Sequence, residues 1–432
     1  MNPSRRSFLR RGLAAAAIAT IALRDDAVAR VRAAGRRTAD RTPEELARDE
    51  DFWFEVQQAF DLDRSFIYLN NGGISPSPRI VLETMRRYQE FSNHGPARNM
   101  WRLLDPQIET VRARLARSFG CSTEELAITR NTTEAMEICL YGLDLKAGDE
   151  VLTTDQDYPR MLNTLKQREL REGIVLRKVP VPAPVQDLAE LVEPFARNIT
   201  PQTRMILCCH MVNLTGQIFP VRDICRLAHQ HDIPVVVDGA HAYAQLDFRR
   251  DDLECDYYGT SLHKWLTAPL GTGFLYVRQD RIQPLWPLMA APEPRSQDIR
   301  KFEEIGTHPS APFLAIAEAL TFHEAIGVQR KAARLRYLRD YWAGRLMQDR
   351  RVKFFARLEP EHSCGLATFA IEGIEPARLV EHLWNQHRIY VIPIDHETVK
   401  GVRVTPNVFT TLEELDMFCQ AVEDVLALSL IH

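Results

Sequence analysis

Ile233-Pro234-Val235-Val236-Val237-Asp238-Gly239-Ala240-His241 is a short β-branched run that ends on a carboxylate and then turns. A run of this length, bounded by Pro and Gly, reads as a strand buried on both faces. Similar runs recur at 126–129, 150–153, 174–176, 205–208 and 273–277, and helical stretches fall between them at 132–140, 160–172 and 221–231. Such alternation predicts an α/β domain with a mostly parallel sheet. Sheets of this kind bind ligands beyond the carboxyl ends of their strands. Asn131, Asp157, His210, Asp238 and Lys264 each lie at the end of an apolar run or just after it.

The flanks differ in character. Residues 312–350 read as long helices, followed by short strands at 366–369 and 389–392, a helix at 376–386 between them and a last helix at 412–428. That order predicts a smaller α+β C-terminal domain. Upstream, 66–69 reads as a strand closed by Asn70-Asn71-Gly72-Gly73, a turn that leaves backbone open to a ligand. Residues 30–50 are charged and poor in apolar side chains, which reads as a linker leading into a helix from Pro43. Before them, Ser4-Arg5-Arg6-Ser7-Phe8-Leu9-Arg10, an apolar stretch over 12–23 and the small-x-small triplet Ala27-Val28-Ala29 form the three parts of a twin-arginine export signal. Its apolar stretch is too short for a stable membrane span. The expected division is a signal peptide over 1–29, a linker and N-terminal segment over 30–75, a large domain over 76–310 and a small domain over 311–432. The expected location is the periplasm or another exported compartment, with the twin-arginine machinery as a partner.

The bulk composition is that of a soluble protein, with 45% apolar and 26% charged residues among 432. A net charge of -4 supplies no basic field, so nucleic acid is not an expected partner. The eight cysteines show neither metal-ligand spacing nor a disulfide framework.

Two residues carry the chemistry. Lys264, in Thr260-Ser261-Leu262-His263-Lys264-Trp265, is a lysine among residues that hold it partly out of water. Such an amine has a lowered pKa and is free for imine chemistry. Asp238, at the end of its strand, can hold a proton on a heteroaromatic nitrogen. A lysine and a carboxylate in these roles are what pyridoxal 5'-phosphate (PLP) requires of a protein. Each alone has a plainer reading: Lys264 as a surface charge, Asp238 as a helix N-cap and His241 as a core histidine. Two further stretches, 131–134 and 210–216, and the neighbours of the pair add to them. Asn131-Thr132-Thr133-Glu134 opens a helix with capping-box spacing, an anion site for a phosphate. Ser261 and His263 can contact that phosphate, and His241 and Asn213 can reach a ring hydroxyl. A zinc site of His210, His241 and His263 is the rival reading, which the absence of ligand spacing disfavours.

Asp238-Gly239-Ala240-His241, Ser261-Leu262-His263-Lys264, His210-x-x-Asn213 and Asn131-Thr132-Thr133-Glu134 resemble, in order, motifs of the class V aminotransferase family of fold type I PLP enzymes. Asn70-Asn71-Gly72 and Asp157-Tyr158-Pro159 place the chain near the isopenicillin N epimerase-like group. The resemblance implies a PLP-binding large domain, a homodimer with a shared active site and a small amino-acid-like substrate. It implies a side chain of the 155–158 loop stacked on the ring, with Tyr158 chosen and Gln156 as the competing register. It implies Thr307, beside Gly306, at the neighbouring subunit's phosphate, and Arg403 at the substrate carboxylate; Asn71, in the open turn, is a further candidate substrate-binding residue. Cysteine desulfurases of the family carry a catalytic cysteine before that arginine; the stretch 391–403 has none. The expected reaction starts with Lys264 removing an α-proton and ends in epimerisation, transamination or elimination, with Tyr158 the candidate second acid. A zinc hydrolase and a non-catalytic binding protein are the alternatives from other classes.

Overall fold

The computed structural model describes residues 27–428. Its centre is a seven-stranded sheet of β2 (Leu126–Thr129), β3 (Glu150–Thr154), β4 (Val175–Val179), β5 (Thr203–Cys209), β6 (Val235–Asp238), β7 (Tyr257–Ser261) and β8 (Gly273–Val277). The order is β2-β8-β7-β6-β5-β3-β4. β8 runs antiparallel to both of its neighbours, and the other neighbouring pairs are parallel.

The period of two along each strand divides the core. Val235 and Val237 enter the cluster on one face, whereas Val236 joins the cluster on the other. On that second face lie α5 (Thr132–Gly142) and α6 (Pro159–Glu172). On the first lies α4 (Ile108–Phe119), with α3 (Arg79–Asn93) packed beyond it through α9 (Ser310–Ile326). Helices α7 (Ala189–Asn198) and α8 (Val221–His229) complete the crossovers. At Gly239 an added Cβ would lie 2.0 Å from the Tyr258 ring, so the turn after Asp238 closes only with glycine.

The small domain is an antiparallel sheet of β9 (Val352–Phe354), β10 (Ala367–Ile371), β12 (Ile392–Asp395) and β13 (Lys400–Val404), covered by α11 (Pro376–His387) and α12 (Leu412–Leu428). Its order is β12-β13-β10-β9. The single strand expected over 389–392 is two. β11 (Ile389–Tyr390) pairs in parallel with β1 (Ile67–Tyr68), and only β12 joins the small sheet. The N-terminal segment is thereby fastened to the small domain.

Two expectations need correction. Residues from 30 onward are not all linker, because α1 spans Ala27–Arg37 and packs on α2 (Glu50–Gln57) and α9. Its buried face is Ala27, Val28, Val31 and Ala34, a helical stripe of small side chains that the arginines on the other face obscure in the sequence. The expected signal over 1–29 lies outside the described residues, apart from Ala27-Val28-Ala29, which form the first turn of this helix. The second concerns the boundary placed at 311. Helix α9 belongs to the large core, and α10 (Val328–Leu346) spans both cores, contributing Leu335 to one and Leu338 and Trp342 to the other. Among the described residues no single helix is long and apolar enough to cross a membrane.

Candidate active site

The carboxyl ends of β2, β3, β5, β6 and β7 open onto one cavity of about 360 Å³. Asn131, Thr132, Thr133, Tyr158, Asn213, Asp238, His241, Ser261, His263, Lys264 and Arg403 all line it, though they come from six segments of chain. The turn expected to be open to a ligand contributes Gly72 and Gly73 to the wall. Sequence reading did not single out the rest of it: Met161, Cys209, Met211, Ala240, Ile392 and Ile394.

Lys264 Nζ lies 3.1 Å from His241 Nε2. Burial lowers its amine to about 8, against the opposing attraction of Asp238. His241 is pushed well below its ordinary value, chiefly by burial and then by Lys264 and Arg403. A neutral His241 therefore faces a weakly basic amine. Asp238 Oδ1 accepts the Ala240 N–H at 3.0 Å, and burial pushes its carboxyl up to about 6 despite that bond. The apoprotein should therefore react with PLP faster as pH rises through about 8. A pH-independent rate over that range, followed by absorbance, would contradict the buried-amine reading.

At the opposite end, Asn131 caps α5, its Oδ1 accepting the Glu134 N–H at 2.9 Å. The Thr132 N–H donates to Ser261 Oγ at 2.9 Å, and the two hydroxyls lie 2.7 Å apart. A helix N-terminus, two hydroxyls and His263 thus converge, as an anion requires. Arg403, on β13, donates from Nη1 to the Asn213 carbonyl at 2.9 Å and from Nη2 to Asn70 Oδ1 at 3.0 Å. Burial lowers it to about 10, and no carboxylate among the described residues pairs with it.

The remaining expectations sort by geometry. Tyr158, at the N-cap of α6, faces the cavity, whereas Gln156 is buried with Nε2 donating to the Val181 carbonyl at 2.9 Å. Asp157 between them is an anchor, its Oδ2 accepting from Thr153 Oγ1, Thr154 N–H and Thr154 Oγ1 and its Oδ1 from Cys209 Sγ. Asn71 does not face the cavity. Its amide is spent bridging the Tyr68 and Thr405 carbonyls, so it fastens the turn that presents Gly72 and Gly73. Thr307 lies exposed, away from its own chain's cavity. His210 is turned away too, with Nδ1 3.3 Å from the Tyr258 hydroxyl and its ring edge-on to Phe248, so the three histidines do not converge. Among the described residues no His/Cys/Asp/Glu group is arranged to hold a metal ion.

The donor set fits PLP. Asn213 Oδ1, His241 Nδ1, His263 Nδ1 and Arg403 Nε are all buried without a hydrogen-bond partner among the described residues, and all belong to residues lining this cavity. Unpaired buried polar atoms are costly and rare, and four around one cavity await a polar ligand. A lysine amine, a strand-end carboxylate and a helix N-terminus complete a set suited to a phosphorylated pyridine aldehyde.

Fold and site together define a PLP-dependent enzyme. The family model "Aminotransferase class-V" matches residues 67–417, and the chain belongs to that family. It is 31% identical to isopenicillin N epimerase of Streptomyces clavuligerus, over 86% of this chain and 98% of that one. It is 26% identical to a cysteine desulfurase of Haloferax volcanii, over 83% and 88% of the two chains. Among solved structures, a C-DES variant with glycine covalently linked to its PLP cofactor matches with a TM-score of 0.73 and 26% identity, over 83% of this chain and 96% of that one.

Proposed function

We propose that the protein is an exported enzyme acting at the α-carbon of an amino acid or small peptide-like amine, in the manner of an isopenicillin N epimerase. The observation that carries this reading is one cavity holding both a buried lysine amine and an arginine without a carboxylate partner among the described residues. PLP bound there supplies an electron sink that makes a substrate α-proton acidic. Arg403, its guanidinium plane already set by Asn70 and Asn213, would receive the α-carboxylate. Lys264 Nζ would take the α-proton as general base. His241 Nε2 would aim that amine by accepting a hydrogen bond from it. Asp238 would keep a proton on the ring nitrogen, and Tyr158 would cover the ring face and offer its hydroxyl as the second proton donor for epimerisation.

Transamination and C–S or β-elimination start from the same proton removal and are the second reading. Desulfuration by a persulfide finds less support. Cys364 is buried, with Sγ donating to the Gln245 and Ala332 carbonyls, and the stretch 391–403 has no thiol. Cys209 lines the cavity but is tied to Asp157, and burial pushes its thiol well up.

The test is α-proton exchange in heavy water across a panel of amino acids and short peptides. Exchange with inversion supports epimerisation, and exchange with a keto acid released supports transamination or elimination. A holoprotein that exchanges no α-proton would leave a non-catalytic binding protein as the better reading. Export is tested separately: Arg5→Lys with Arg6→Lys should retain the protein in the cytoplasm, and unchanged fractionation would sink that part. Two copies are proposed to share the site, with Thr307 reaching across; a holoprotein that sediments as a monomer would exclude this.

A further inference from the structure

A second lysine lies close behind the first. Lys331, on α10, is 2% exposed, and no carboxylate among the described residues pairs with it. A buried amine without an anion is costly, so the one bond it makes deserves an account. Its Nζ donates to the main-chain carbonyl of Trp265, the residue after Lys264.

That carbonyl belongs to a turn in which five neighbouring carbonyls are already supplied by other donors. The Leu262 carbonyl accepts from Ala268 N–H at 3.0 Å, His263 from Ser75 N–H at 3.0 Å and Lys264 from Thr267 N–H at 3.3 Å. The Leu266 and Ala268 carbonyls accept from the Thr267 and Ser77 hydroxyls. Trp265 is itself fully buried, so without Lys331 its carbonyl would be left unpaired. The turn is also strained, because Thr267 sits at φ 60°, a conformation that a β-branched residue rarely adopts. A strained backbone persists only where its surroundings hold it.

We propose that Lys331 is a positioning residue for Lys264: by holding the Trp265 carbonyl it keeps the strained turn closed and the Lys264 amine aimed at His241 and the cofactor. The proposal rests on the reading that Lys264 carries PLP. It also gives α10 a part in the site, since that helix joins the two cores and Lys331 ties it to the cofactor-bearing turn. Burial lowers the Lys331 amine to about 7, and the N–H groups of either protonation state can make the bond.

The test compares Lys331→Met, which keeps the apolar stem but has no donor, with Lys331→Gln, which keeps an N–H, both as holoproteins. Lys331→Met is expected to melt close to wild type yet release PLP about tenfold faster, the effect of losing one good hydrogen bond. Its induced circular dichroism per bound cofactor should also fall, and Lys331→Gln should be intermediate. Wild-type release and dichroism in Lys331→Met would overturn the proposal. So would a lower melting temperature in apo and holo forms alike with unchanged dichroism, which marks a merely structural role. Borohydride labelling of the wild type checks the parent reading by itself: a label absent from the Lys264 peptide sinks that reading whatever Lys331→Met does.

Discussion

Lys264→Ala is expected to lose covalent attachment of the cofactor and about 10⁴-fold in turnover, the upper range for a positioned general base. Wild-type protein treated with PLP should be yellow, and borohydride should bleach it and leave the cofactor on the peptide that holds Lys264. The variant should bind PLP reversibly and carry no label after reduction and denaturation. The fold should survive. The amine is held at about 8 by burial, below its ordinary 10.5, so the unfolded chain binds its proton more tightly. Below about pH 8 that difference opposes folding, and it fades as pH rises toward 10.5. Removing the lysine therefore removes an unfavourable contribution at neutral pH. A Lys264→Ala protein that still carries a reducible covalent adduct would show that another lysine bears the cofactor, and Lys331 would be examined first.

Asp238→Asn is expected to lower turnover by about 10²–10³-fold, in line with removal of one preorganised electrostatic partner, while making the apoprotein more stable. The opposite signs are the signature. Asp238 has its carboxyl raised from 3.8 to about 6 by burial, so the folded state binds the proton more tightly than the unfolded chain. Stability from that proton is present at low pH and is lost as pH rises through about 6. At pH 7 the buried anion opposes folding by up to about 3 kcal/mol, and asparagine removes the charge while its oxygen can still accept the Ala240 N–H. Thermal melts of apoprotein at pH 7 and pH 4 should show the gain at the higher pH only. A destabilised Asp238→Asn apoprotein at pH 7, or one whose holo form turns over at the wild-type rate, would remove Asp238 from the proposed role.

Much of the large domain was legible because its signals are local. Val235, Val236 and Val237 are β-branched and apolar, and a segment buried on both faces needs no polar alternation to declare itself. The residues that close the strands then fall at the carboxyl edge by topology, which is why Asn131, Tyr158, Asn213, Asp238 and Lys264 meet in one cavity. The misses have equally physical causes. Helix α1 hides its stripe of small residues among arginines. The break between β11 and β12 is invisible because one apolar run serves two different partners, β1 and β13. Asn71 looked like a ligand residue because the turn around it is open, yet its partner carbonyl at Thr405 is 334 residues away.

The sequence by itself determined the strand–helix alternation, the cofactor-type pairing of lysine with carboxylate and the order of the motifs. Each of these depends on residue type and short spacing, which the chain carries without folding. Only the tertiary structure decided which of those residues face the cavity. It turned Tyr158 inward and Gln156 away, set Arg403 between Asn70 and Asn213, and laid Lys331 on the carbonyl beside Lys264. These are pairings of buried polar groups across distant segments. They are settled by the requirement that each buried donor and acceptor find a partner in the packed molecule, a condition no local window of sequence can express.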